Sequence, residues 1–182
     1  MRISAIIIGL ILSANLHAET RFESSSICTA KDKVYFSCTT KNRKILSLCG
    51  KKEGGIYYRF GKPGKVELEY PSGNIKNEDS LSLFFYNHYT RWMVDYFTVT
   101  FQNHGYTYLI QDLKNNEEET KQITQNIVIY NNPDQTDGKT ISCISDVISD
   151  LRPLIYIIPC DKEAALGCSK NDGYLDSGVD PK

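Results

Sequence analysis

The sequence predicts a mainly β protein: a single antiparallel, β-sandwich-like domain with at most one short helix, stabilised by disulfides. Short apolar runs recur along the chain with Gly, Pro, Asn and Asp between them, the pattern of strands joined by turns. Several runs alternate polar and apolar residues, which puts one face in a core and the other in water. Six cysteines, an even number, all lie beyond an N-terminal export signal, and in an oxidising compartment that count reads as a disulfide framework.

Residues 1–18 hold Arg2, an apolar run from Ala5 to Leu12, and small residues ending at Ala18, the three regions of a secretory signal peptide. The run is about half of the ~20 residues a membrane span needs. Cleavage after Ala18 starts the mature chain at Glu19, and Cys28 stands too far on to take a lipid. The expectation is a periplasmic or secreted protein with no membrane anchor. The 182 residues suffice for a sizeable core, and the net charge of −1 offers no basic surface for nucleic acid.

Strands are expected over 33–39, 44–49, 55–61, 65–70, 81–86, 93–102, 106–112, 124–130, 139–144 and 154–158. Residues 19–160 form the β domain, and 161–182, where apolar residues thin out, form a disulfide-looped, partly mobile tail. Pro63-Gly64 is turn chemistry, and alternation around it sets Tyr58 and Phe60 with Val66, Leu68 and Tyr70 on the core face. Arg59 then shares the solvated face with Glu67 and Glu69. In the next hairpin a two-residue His104-Gly105 turn brings Phe101 opposite Tyr108 and Val99 opposite Ile110. Residues 71–80, 114–121 and 131–138 read as exposed loops. Ile144, Val147, Ile148 and Leu151 fall at helical spacing, with Ser145 or Asp146 as cap and Pro153 as terminator, so the one short helix is expected there.

Loop lengths favour a Cys160–Cys168 bridge, and a hairpin turning at residues 41–43 allows Cys38–Cys49, which leaves Cys28 with Cys143. Zinc sites use close C-x-x-C pairs or neighbouring histidines, and neither occurs, so no metal or other cofactor is expected. His104 reads as a turn residue. His88, with Asp95 a few residues on, invites an Asp/His pair, but no G-x-S-x-G or H-E-x-x-H pattern supports catalysis. Glu67 and Glu69 share a face opposite Arg59 and read as surface ion pairs, and Glu117-Glu118-Glu119 reads as a solvated loop. Neither Asp134 with Asp137 nor Asn171, Asp172 and Asp176 has the spacing of a calcium loop.

Residues 84–108 hold half of the chain's aromatic residues. Strand aromatics are ordinary core, but Tyr86, His88, Tyr89, Arg91 and Trp92 lie in what reads as a strand connection, and Tyr, Trp and Arg are the types enriched at binding hot spots. These five are the candidate contact residues, and no catalytic residue is assigned.

The stretch Leu48-Cys49-Gly50, followed by Tyr58-Arg59-Phe60-Gly61 and Glu67-Leu68-Glu69-Tyr70-Pro71, resembles a family of small exported bacterial proteins, mostly uncharacterised, with an L-C…Y-R-F-G…E-L-x-[FY]-P hairpin. The resemblance implies a bacterial source and an envelope or extracellular location, and it brings no active site. Periplasmic lysozyme inhibitors are similar in size, export and β content, but their S-G-x-x-Y loop is not matched by Ser72-Gly73-Asn74-Ile75. The expected function is therefore binding of a protein partner in the envelope or medium, as an inhibitor or immunity protein does. The alternatives are an envelope hydrolase acting on glycan or peptide and a purely structural secreted protein.

Overall fold

A computed structural model describes residues 25–73, 75–117, 121–131, 137–162, 164, 167 and 168. The signal-peptide assignment, most of the tail and several of the acidic loop residues lie outside them. Nine strands form one curled antiparallel sheet: β1 Lys33–Thr40, β2 Ile45–Gly50, β3 Ile56–Lys62, β4 Lys65–Tyr70, β5 Phe84–Arg91, β6 Val94–Asn103, β7 Tyr106–Asn115, β8 Gln122–Tyr130 and β9 Gly138–Ser149. Their order is β4-β3-β2-β1-β9-β8-β7-β6-β5. Strands adjacent in the chain are thus paired everywhere except between β4 and β5, and β9 closes back on β1.

β9 makes this closure by changing partner along its length, pairing with β8 through Gly138–Ser142 and with β1 through Cys143–Ser149. The helix expected over 144–151 is absent because β1 needs this partner. An irregularity at Asp146, which has φ 53°, puts an extra residue between the rungs Ser145 and Ile148. The inserted residue breaks the period-two alternation and leaves apolar residues at a spacing that imitates a helix. The tenth strand expected, 154–158, is a 3-10 turn, Arg152–Tyr156, in which Pro153 lacks the N–H that a strand ladder uses. A short helix, α1 Asn77–Leu81, forms instead in the crossover read as a loop, and Ser80 Oγ accepts from Ile56 N–H at 3.0 Å to tie it to β3. Gly55, at φ 91°, leaves the room α1 needs: a Cβ there would lie 2.8 Å from the Asn77 carbonyl oxygen.

The register sorts the β5–β9 half into rows. Facing the interior are Phe84–Phe101–Tyr108–Ile129, then Tyr86–Val99–Ile110–Ile127–Ile141, then His88–Phe97–Asp112–Gln125, then Thr90–Asp95–Lys114–Ile123. The first two rows are apolar and meet the β1–β4 half through rings. Tyr70 stacks on Phe101 at 4.9 Å, Phe101 on Tyr108 at 4.8 Å, and Tyr58 tilts against Phe101 at 5.0 Å. Facing outward are Phe85–Thr100–Leu109–Val128–Thr140, Asn87–Thr98–Gln111–Asn126–Ser142 and Tyr89–Tyr96–Leu113–Thr124.

The bridges are Cys28–Cys49, Cys38–Cys143 and Cys160–Cys168, so the last expected pair is present and the other two exchange partners. In the β1–β2 ladder Cys38 lies opposite Leu46 and Cys49 opposite Val34, too far along the hairpin for those two sulfurs to meet. Cys38 points inward to β9, and Cys49 points outward to the segment before β1. No helix among the described residues is long and apolar enough to cross a membrane.

Candidate functional site

The last two inward rows turn one end of the sheet polar. His88 Nε2 lies 2.7 Å from Asp95 Oδ1, and Arg152 Nη2 donates to Asp95 Oδ2 at 3.2 Å. Asp112, buried, accepts from Gln125 Nε2 at 2.9 Å and Ser149 Oγ at 2.5 Å, and Lys114 Nζ stands 2.8 Å from the same carboxylate. Burial alone would push the Asp95 carboxyl up, but the hydrogen bond and charge of His88, joined by Arg152, outweigh it and hold Asp95 below the ordinary carboxylate range. The two acids are thus bonded to Lys114, Arg152 and His88, and the network ties the ends of β5, β6 and β7 together. The His88 side chain has no solvent exposure and packs its ring against Phe97 at 5.0 Å. Among the described residues no group of three or more His, Cys, Asp or Glu is arranged to hold a metal.

Outside this network, β5 and β6 end in a tight turn. Residues 86–91 belong to β5 and are not a connection; the chain turns at Trp92-Met93, where Arg91 lies opposite Val94 and Met93 has φ 60°. Alternation then separates the five candidate contact residues. Tyr86 and His88 face the core and are buried, so contact through them is ruled out by position. Tyr89 is half-buried on the outer face beside Tyr96, with rings 6.4 Å apart. Arg91 is exposed and paired with Glu117, and Asn116 N–H donates to Met93 carbonyl at 2.8 Å, which ties the neighbouring loop to the turn. Trp92 is 62% exposed and Met93 45%.

A cleft of about 840 Å³ opens at the other end of β5–β7, beside the unpaired β4–β5 seam. Phe85, Thr100, Gln102 and Thr107 line it from the outer face, and Tyr70, Leu83 and Lys162 from its rim. Cys160, Asp161 and Lys162 form the adjacent wall, and Pro159 and Gly167 bond the edge of β5. Tyr86 N–H donates to Pro159 carbonyl at 3.0 Å and His88 N–H to Gly167 carbonyl at 3.1 Å.

His104 sits in its turn at φ 49°, and Glu67 and Glu69 pair with Lys44 and Arg59, each at 2.6 Å. The residues that sequence reasoning missed are Asp112, Lys114, Gln125, Ser149 and Arg152. Asp112 and Lys114 had a signal: continuing the alternation Tyr108, Ile110 along β7 places them on the core face. Arg152 and Ser149 had none, because they arrive through β9. Comparison with protein-family models, with characterised proteins and with solved structures finds no match to this chain.

Proposed function

We propose that the chain is an exported bacterial protein that binds another protein in the envelope or the medium, as an inhibitor or immunity protein does, through the Arg91-Trp92-Met93 end of the β5–β6 hairpin. The observation that carries this reading is the pair of large apolar side chains at the apex of a fixed turn, Trp92 at 62% and Met93 at 45% exposure. Trp, Met and Arg are enriched in interface cores, and a rigid apex presents them at little entropic cost. Three disulfides suit work in an oxidising compartment.

The test is capture by oxidised residues 19–182 from envelope extract and culture supernatant of the same species. A saturable, stoichiometric partner is expected, and Tyr89→Ala, Arg91→Ala and Trp92→Ala combined should abolish its capture while thermal unfolding stays unchanged. Capture unaffected by the triple substitution would remove this assignment. The hydrolase reading has one observation in its favour, the Asp95 carboxylate beside His88. It is the weaker because that imidazole is wholly buried; turnover of an envelope glycan or peptide, lost in Asp95→Asn, would reinstate it.

A further inference from the structure

We infer that the Cys160–Cys168 bridge is a site of thiol–disulfide exchange, and that its opening by a dithiol releases the edge of β5 while the rest of the fold stays intact. The inference does not depend on the protein-binding reading.

The three bridges differ in what each holds and in how a thiolate reaches it. Cys28–Cys49 and Cys38–Cys143 span 21 and 105 residues, and each has one wholly buried member, Cys49 and Cys38. Cys160–Cys168 spans only 8 residues, and both of its cysteines are partly exposed. Short loops contribute least to stability, and exchange requires an approach to sulfur, so both differences single out the same bridge. Cys160 also lines the 840 Å³ cleft, which gives an incoming thiolate its route.

What this bridge clasps is the edge of β5, the last strand in the sheet order. Cys160 stands opposite Tyr86 and Cys168 opposite His88, each in a parallel β-bridge. Tyr86 N–H donates to Pro159 carbonyl at 3.0 Å, Asp161 N–H to Tyr86 carbonyl at 3.0 Å, and His88 N–H to Gly167 carbonyl at 3.1 Å. Between them the buried Asn87 donates through Nδ2 to the carbonyls of Asp161 at 2.6 Å and Gly167 at 2.9 Å, and the same nitrogen lies 4.0 Å from Cys160 Sγ. One asparagine thus holds both ends of the loop that the bridge closes. With the covalent link gone, hydrogen bonds alone retain the two ends, and bonds at a strand edge open in local fluctuations without global unfolding. The rest of the sheet keeps its ladders, its core and the other two disulfides.

The chemistry balances with a dithiol as reductant. Its thiolate attacks Cys160 Sγ from the cleft, the S–S bond breaks, and the electron pair leaves on Cys168 Sγ, which takes up a proton. The second thiol of the reductant then loses its proton and attacks the mixed disulfide, which releases Cys160 as a thiol. Two electrons and two protons pass to the protein, and the dithiol leaves as a disulfide. Asn87 keeps the freed sulfurs near each other, so the reverse exchange with a disulfide closes the bridge again.

The test is graded dithiothreitol on oxidised residues 19–182, with alkylation and mass mapping of each cysteine. Cys160 and Cys168 should be labelled at a concentration at least about tenfold below that which opens either other bridge, with near-UV circular dichroism unchanged. Amide hydrogen exchange at Tyr86 and His88 should then quicken at least about tenfold, and Cys160→Ser with Cys168→Ser should show the same exchange without reductant. A monothiol, with alkylating agent present to cap the freed sulfur, should leave its adduct on Cys160. Prior opening of either other bridge, or opening of all three together on unfolding, overturns the inference. So do Tyr86 and His88 amides that exchange as slowly in the reduced protein as in the oxidised one. A double variant that fails to fold overturns it too, because the bridge would then hold more than an edge. An adduct on Cys168 instead of Cys160 overturns the route through the cleft.

Discussion

The β1–β4 half and the β5–β9 half present outward polar rows of similar design, yet they treat them differently. Over Ser37, Ser47 and Arg59 the chain lays its own residues 25–29 and fastens them with Cys28–Cys49. In the other half Asn87 Nδ2 donates to the carbonyls of Asp161 and Gly167, while Thr98 and Asn126 are buried with no such strap among the described residues. The charged residues are placed differently too: Lys44–Glu67 and Arg59–Glu69 flank the strapped row, whereas in the other half the rows through Phe85, Asn87 and Tyr89 carry no charge and Arg91, at the end of that face, pairs with Glu117. Where backbone fills the polar row, charges can sit at its margin in water. Where the row itself is buried, as at Asn87, Thr98 and Asn126, a charge would cost desolvation.

The largest expected effect tests what joins the halves. Cys38–Cys143 spans 105 residues, so Cys38→Ala with Cys143→Ala should cost about 4.7 kcal/mol by the loop-entropy estimate. Cys28→Ala with Cys49→Ala, spanning 21 residues, should cost about 3 kcal/mol. Urea unfolding of the two variants gives the order; a reversed order would mean that the strap, not the closure of β9 on β1, holds the fold.

The next effect compares the rows directly. Ser47→Ala removes the acceptor of the Ile27 N–H and should cost about 1–3 kcal/mol. Asn126→Leu removes an acceptor that has no partner and should be neutral or stabilise by up to about 1 kcal/mol. Equal losses at both positions, read from thermal unfolding, would erase the difference between the halves.

The smallest effect is on pH dependence. Asp95 is held below its ordinary value of 3.8, so its contribution is fully present above that pH and disappears as pH falls through the lowered value. With the side chain 35% exposed, this amounts to no more than about 1 kcal/mol. Wild type and Asp95→Asn should therefore differ in urea midpoint at pH 6 and converge as the acid limit is approached; a difference that persists in acid would assign the effect to packing instead of charge.

Local patterns were legible wherever their partners were near in sequence. The His104-Gly105 turn forms with both residues at positive φ, and Phe101 opposite Tyr108 and Val99 opposite Ile110 follow from its length. Arg59 meets Glu69, and Phe60 meets Leu68, as alternation around Pro63-Gly64 requires. Val66 departs from the core face assigned to it, lying exposed where a register shift follows Phe60. His88 and Asp95 were legible as a pair, but not the burial that removes the imidazole from solvent.

By itself the sequence determined that this chain is a β protein of short antiparallel strands, since alternation, turn residues and loop length act over a few residues and need no knowledge of the rest. Only the tertiary structure decided that β9 pairs with β1, that Cys38 therefore meets Cys143, and that Arg152 reaches Asp95. Those contacts depend on the curl of the whole sheet.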